Sequence, residues 1–491
     1  MTQQIIPNVY FSDYFGVDPN DLYEYGAYNI SLINDLPLFI DPFLLFNSEK
    51  PEYKQLHDQI IEYLIFLRDK SSSGVMTRGL LQGWFTFSEV KQNWLGFSVF
   101  GNEGRGLGPG FAENLNKNLG TFFSHFGQEK VSSSSHLEKL TLIREGVGRD
   151  CISDFTTNLI KKYLLEYTQT FAQKFIPQQY RETRPVSKVS FNYQLEKWVS
   201  KSYDLPVFNN DHVLLTPFDM LSRDENWINR DDMLGVYKKI VESVSNEQLR
   251  AEVNNYLSSE IEKDFSRKEQ KKIASRLYSR FPQLIDYYIL QKEQDGEQAV
   301  SISNEKVEES RALFYENSVS FIKALKRSSQ FYEVEGDTLA EARSRIQYMK
   351  SVIEDQDGYK IFYHEGHALK REMDLQLIFK MTWFASPSDF NSEVNNGRGP
   401  VDFKISRGSV DKTLVEFKLA SNSHLKRNLQ KQLSIYEKAN DTKKSLTVIV
   451  YFSEHELNSV QNILSDLKIS DNKDIILIDA RADNKPSASM A

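Results

Sequence analysis

The sequence predicts a multidomain chain: a mixed α+β module over residues 1–230, a charged helical region over 231–355, an α/β domain with a mixed sheet over 356–483, and a frayed tail at 484–491. Three observations predict it. Past residue 400, alternating and fully apolar runs interleave with amphipathic segments in the order strand, strand, helix, strand, helix, strand, the pattern of a mixed sheet with helical crossovers. Between 231 and 355 apolar residues recur at helical spacing among many charged ones. The first 230 residues are aromatic-rich and broken by glycine-dense and polar loops. With 491 residues, 40% hydrophobic and 26% charged, the chain has a globular composition and room for two to four domains.

Taking the elements in order, Phe39-Ile-Asp41-Pro42-Phe43 opens an apolar stretch, and a helix is expected over 53–70. Gly101 to Gly110 is glycine-dense and leads into an amphipathic helix near 111–119. It lacks the Gly-Lys-Ser/Thr of a nucleotide-binding loop and follows no clear strand, so it reads as a flexible connection or binding loop. Phe87-Ser-Glu89-Val-Lys91 imitates a second acid-x-Lys pattern without the flanking strand order. A polar segment around His136-Leu-Glu138 and 146–157 precedes a helix over 158–175 that Ser153 or Asp154 would cap. Helical spacing then marks 234–244, 248–265, 268–280 and 310–325, with a polar break at 291–305. His364-Glu-Gly-His367 is one residue short of a zinc-protease pattern and reads as a polar loop.

The chemistry concentrates between Pro400 and Tyr436. Val401-Asp402-Phe403-Lys404-Ile405 and 413–420 are two alternating runs joined by a polar turn, which reads as a β-hairpin. Glu416 and Lys418 share one strand face, and Asp402 on the neighbouring strand can face them. Two converging carboxylates repel, and burying them unpaired is costly. A hard cation such as Mg²⁺, which takes oxygen ligands, resolves the conflict. Lys418 beside it can position or help deprotonate a water, or neutralise charge developing on a phosphorane. A helix over 424–438 follows, with Leu425, Leu429, Leu433 and Tyr436 on one stripe and Gln432 one turn before Tyr436.

This ordered set, Gly399-Pro-Val-Asp402, Glu416-Phe417-Lys418 and Gln432-x-x-x-Tyr436, resembles the PD-(D/E)XK nuclease superfamily over roughly residues 366–479. The resemblance implies a restriction-endonuclease-like fold and Mg²⁺-dependent phosphodiester hydrolysis, Mn²⁺ substituting, that leaves a 5′-phosphate and a 3′-hydroxyl. It implies that Asp402, Glu416 and the Phe417 carbonyl hold the metal, that Lys418 orients the water, and that Gln432 and Tyr436 support the site. In the superfamily the helix before the hairpin can add an acid, here Glu372 on an amphipathic helix over 371–383, with Glu393 as the competitor. Multidomain members of this build serve restriction or phage defence in bacteria, where the other domains sense, assemble or position. A homo-oligomer or a partner protein of a defence system is the matching expectation.

Charge bears on the substrate. The net charge of −8 conceals a local excess: from Arg398 to Asn440 nine Lys/Arg stand against four Asp/Glu. Lys426, Arg427 and Lys431 lie where backbone phosphates of nucleic acid, DNA in preference to RNA, would pass. A catalytically silent nucleic-acid-binding or regulatory protein is the competing expectation. Eight histidines without a zinc-protease spacing disfavour a zinc enzyme. The single Cys151 excludes an intramolecular disulfide. No apolar run is long enough to cross a bilayer and no leader pattern opens the chain, so no membrane association and a cytoplasmic location are expected.

Overall fold

The helix that seats the C-terminal sheet starts where an aspartate meets its first free N–H groups. Asp337 Oδ1 accepts from Ala340 N at 2.8 Å, the side-chain capping that helix N-termini favour. This helix, α1 (Thr338–Asp355), is followed by α2 (Glu372–Thr382) and strands β1 (Asp389–Asn395), β2 (Pro400–Arg407) and β3 (Asp411–Leu419). Residues 425–430 are helical, and β4 (Ser445–Tyr451), α3 (Glu454–Asp466) and β5 (Ile475–Asp479) complete the domain. The structure is a computed structural model that describes residues 9–485, apart from 34, 73–75, 97–106, 123–125, 144–147, 224, 261–266, 329–335, 365, 369–370, 384–387, 396–399, 408–410 and 431–443.

The five strands form one mixed sheet in the order β5–β4–β3–β2–β1. β1, β2 and β3 run as an antiparallel meander, while β4 and β5 lie parallel to β3. β1 is a strand the sequence does not announce, because Asp389-Phe-Asn-Ser-Glu-Val-Asn395 carries only two apolar residues. A strand at the sheet's edge tolerates that polarity.

Alternation sorts the side chains of β3 between two layers. Val415, Phe417 and Leu419 join Phe403, Ile405, Val448 and Ile476 in a core shared with Ile346 and Met349 of α1 and Leu375, Ile378 and Phe379 of α2. The Phe379 ring lies 4.4 Å from Phe417 and 5.2 Å from Phe403, contacts that add about 1 kcal/mol each beyond area burial. On the opposite face Ile449 and Tyr451 pack with Leu425, Leu429, Val460 and Leu464. Glu416 and Lys418, alternating with Phe417, emerge on that second face. The expected helical stripe is present at Leu425 and Leu429; its continuation lies outside the described residues.

Helix α1, which the sequence reading assigns to the charged helical region, packs on β2, β3 and β5. The helices from Arg230 to Gln294 have their own core, into which Phe43 and Leu142 of the first module insert. The polar break expected at 291–305 is helical instead: Leu284–Gln294 and Gly296–Arg311 are separated only at Asp295. Its polar residues are the solvent face of a helix whose Ala299, Ser303 and Val307 are buried. A Cβ at Gly296 would stand 2.1 Å from Asn47 Oδ1 and displace that side chain. This helix continues through a π-helical turn, Ala312–Asn317, into Ser318–Ser328.

The first module is α+β. Helix Pro51–Ser72 and helices Arg149–Leu159 and Lys161–Phe175 accompany a long antiparallel ribbon of strands Arg181–Asn192 and Lys197–Phe208. One expectation is corrected here. Ser153 and Asp154 lie inside helix Arg149–Leu159 rather than at a cap, and Ser153 Oγ accepts Ile40 N at 3.0 Å. Glu89 and Lys91 lie on no named strand, Lys91 opening a short 3-10 turn. The loop over 101–106 lies outside the described residues. No helix among the described residues is long and apolar enough to cross a membrane.

Candidate active site

The pairing of β2 with β3 runs from Asp411 opposite Arg407 to Val415 opposite Phe403 and stops there. One residue further, the Asp402 carboxylate takes over: its Oδ2 accepts from Phe417 N at 2.6 Å. A strand residue sends its N–H and C=O to the same edge, so the Phe417 carbonyl is directed to the Asp402 side as well. The ladder therefore ends where a carboxylate, with a backbone carbonyl beside it, replaces the backbone pairing.

Lys418 closes the group. Its Nζ lies 2.7 Å from Glu372 Oε1 and 3.6 Å from Asp402 Oδ2. Glu372 stands in the first turn of α2, where the helix dipole favours an acid, and its second oxygen accepts from Asn422 Nδ2 at 3.2 Å. Gln376, one turn further along α2, lies close enough to pull the Asp402 carboxyl down slightly, the weakest of its influences. Glu416 and Lys418 are both 6% exposed.

The electrostatics follow from that enclosure. Burial pushes the Asp402 carboxyl up to about 6, against the opposing pull of Lys418 and the Phe417 N–H. Burial alone would lower the Lys418 ammonium. The carboxylates of Asp402, Glu372 and Glu416 outweigh it and hold Lys418 up to about 12. At neutral pH this lysine is a fixed cation and hydrogen-bond donor.

Of the residues singled out from sequence, Asp402, Lys418 and Glu372 are brought into contact, with Glu416 on the same strand face as Lys418 and Phe417 between them. Glu393 lies on β1, with its side chain outside the described residues. Lys426 and Arg427 are exposed in the first helical turn after β3, and Lys426 Nζ pairs with Asp466 of α3 at 2.6 Å. Lys431, Gln432 and Tyr436 lie outside the described residues. Sequence reasoning missed Gln376 and Asn422. The first stands four residues after Glu372, a spacing that shares a helix face, and the second in the turn that leaves β3.

Among the described residues no three or more His, Cys, Asp or Glu side chains form a group that could hold a metal ion. The candidate donors are two carboxylates, Asp402 and Glu416, and the Phe417 carbonyl. All are hard oxygens of the kind Mg²⁺ takes while keeping several waters. The raised Asp402 carboxyl fits that use, because a cation relieves the cost of ionising it in a buried place.

Residues 16–229 match the family model of a domain of unknown function, DUF8370, and residues 338–454 match that of a second one, DUF8371. The second match begins on the first residue of α1, ends on the first residue of α3, and encloses every residue of the site. No curated protein matches the chain, and no solved structure does.

Proposed function

We propose that the C-terminal domain is a Mg²⁺-dependent nuclease of the PD-(D/E)XK type, acting on DNA in preference to RNA. One observation carries the reading: an aspartate and a Glu-x-Lys pair from adjacent antiparallel strands converge, and a glutamate from the preceding helix meets the lysine. The succession of helix, three-stranded meander, helix and parallel strand supports it, as does the exposed Lys426–Arg427 pair directly after β3.

Asp402, Glu416 and the Phe417 carbonyl would hold the cation. Bound there, it supplies Lewis acidity to a phosphate oxygen and lowers the pKa of a water. The Phe417 N–H orients Asp402. Lys418, kept charged by its carboxylate neighbours, donates to the attacking water or to a phosphate oxygen and stabilises negative charge as it develops. Glu372 aims that ammonium. Lys426 and Arg427, with Lys431, steady neighbouring phosphates without reading bases, and Gln432 and Tyr436 complete the support. The biological setting is bacterial restriction or phage defence in the cytoplasm, in a homo-oligomer or with a partner protein. A second reading, a silent nuclease-like fold that binds nucleic acid, is favoured by the way Lys418 already balances the carboxylates without a cation.

A plasmid-nicking assay separates the two. Mg²⁺ or Mn²⁺ should support nicking, Ca²⁺ little, because its looser coordination positions a nucleophile poorly. Asp402→Ala and Glu416→Ala should each lose activity by orders of magnitude. Undiminished cutting in excess EDTA, or by Asp402→Ala, would remove the mechanism.

A further inference from the structure

We propose that Arg223 of the first module is a positioning residue for the nuclease site: it clamps α2 from behind, so that Glu372 meets Lys418 and Gln376 stays near Asp402. The inference rests on the nuclease reading of that site and adds a residue remote from it in sequence.

Helix α2 has two working faces. Glu372 and Gln376 are one turn apart: Glu372 meets Lys418 at 2.7 Å, and Gln376 stands on the same side, near Asp402. Asp374 lies between them in sequence but about 200° around the helix from Glu372, on the side turned to the first module. There Arg223 Nη2 meets Asp374 Oδ2 at 2.5 Å, with both side chains almost fully buried. The other arm of the guanidinium, Nη1, reaches Glu309 Oε2 at 3.1 Å, and its carbon lies 5.5 Å from the Phe314 ring. Arg371 adds a weaker contact to Asp374 from the helix's own start, at 3.3 Å.

Arg223 itself is not free to follow the helix. It directly succeeds Leu221–Ser222, which pairs antiparallel with Phe39–Ile40 inside the first module. A buried guanidinium deprived of its partner is an uncompensated charge, so the pair resists any displacement that would separate it. A helix moves as a rigid rod, and what fixes Asp374 fixes Glu372 and Gln376. The Lys418 ammonium therefore takes its aim from a residue that supplies no atom to the site.

The test combines cleavage kinetics with hydrogen exchange on the full chain. In Arg223→Met, kcat for plasmid nicking should fall by about tenfold to a hundredfold, the scale of a small misplacement of reacting groups. KM should stay within about twofold, since the surface that would contact DNA is untouched. Amide exchange should rise in residues 372–382 while β3, β4 and β5 keep their protection. Arg223→Lys, which keeps the charge but not the two-armed geometry, should restore the exchange pattern and part of kcat. Should Arg223→Met not fold, Asp374→Asn supplies the same readings from the partner side. Wild-type kcat in a folded Arg223→Met protein, or exchange that rises uniformly along the chain, overturns the proposal. If the wild-type protein does not cut with Mg²⁺ or Mn²⁺, it is the nuclease reading that fails. The exchange pattern then decides alone whether Arg223 holds α2.

Discussion

Two groups of buried acids in this protein are stabilised by opposite means. In the first module Asp41 and Glu138 stand together, 1% and 0% exposed. Asp41 accepts Phe43 N at 3.0 Å and Trp227 N at 2.8 Å. Burial, and then the Asp41 charge, push Glu138 well above the usual carboxylate range, so it stays protonated. At the C-terminal site Asp402 and Glu372 are instead compensated by an ammonium, and burial lifts Asp402 only to about 6. Protonation of Glu138 leaves the first group a single negative charge, which two backbone N–H groups hold at Asp41. At the second, Asp402 is ionised at neutral pH beside a charged Lys418, an arrangement that suits the proposed cation and phosphate. Buried acidity alone therefore does not identify a reactive site; the kind of compensation does.

Substitutions break the comparison from both sides. Asp41→Ala should be the most costly to stability, about 3 kcal/mol in urea unfolding, because Phe43 N and Trp227 N lose their acceptor in the core. Glu138→Gln, which replaces a neutral acid with a neutral amide, should leave nicking unchanged. If Glu138→Gln abolishes cutting while the protein still melts normally, the first group is not merely structural.

Acidity sharpens it next. The ordinary Asp402 value is 3.8 and the folded one about 6. Between them the native state holds a proton that the unfolded chain lacks. That stabilisation is complete below about pH 4, amounts to about 3 kcal/mol, and is lost as pH rises through 6. Asp154, at about 7, and Asp35, at about 8, carry the same sign to higher pH. Metal-free protein should therefore lose stability from pH 5 to pH 8, and Asp402→Asn should flatten the 5–7 portion by on the order of 1 kcal/mol. A wild-type slope in that variant would mean that Asp402 is not the titrating group.

The smallest effect lies on the basic helix. Neutralising Lys426, Arg427 and Lys431 together should weaken DNA binding similarly across sequences. The salt dependence should drop by about one unit of slope for each phosphate that is no longer neutralised. Because Lys426 already pairs with Asp466, its share should be the least of the three. An unaltered slope at two salt concentrations would make this a merely solvated face.

The local part of the site was legible in the sequence because strand alternation fixes what faces what: Glu416 and Lys418 had to share a face. The same logic found the apolar stripe at Leu425 and Leu429. What escaped was either polar by position or distant in sequence. β1 was hidden because an edge strand needs few apolar residues, and the helix over 296–311 because its buried face is built from Ala299, Ser303 and Val307. The ribbon of the first module went unread, its bulge between Val186 and Ser190 interrupting the alternation. Arg223 and Asp374 are 151 residues apart, and no local pattern connects them. Glu372 could be named only as one of two candidates, since what selects it is contact with Lys418 in three dimensions.

The aspartate that ends the β2–β3 ladder carries an evolutionary consequence. By capturing the Phe417 N–H it takes the place of a backbone acceptor, so the side chain proposed for the reaction also shapes the sheet. A descendant that abandoned cutting could not discard it silently. A residue at 402 without an acceptor oxygen would release that N–H and invite the strands to zip further together. If the proposed activity holds, its loss in a descendant would leave a trace in the backbone: a hairpin paired past Val415 and Phe403.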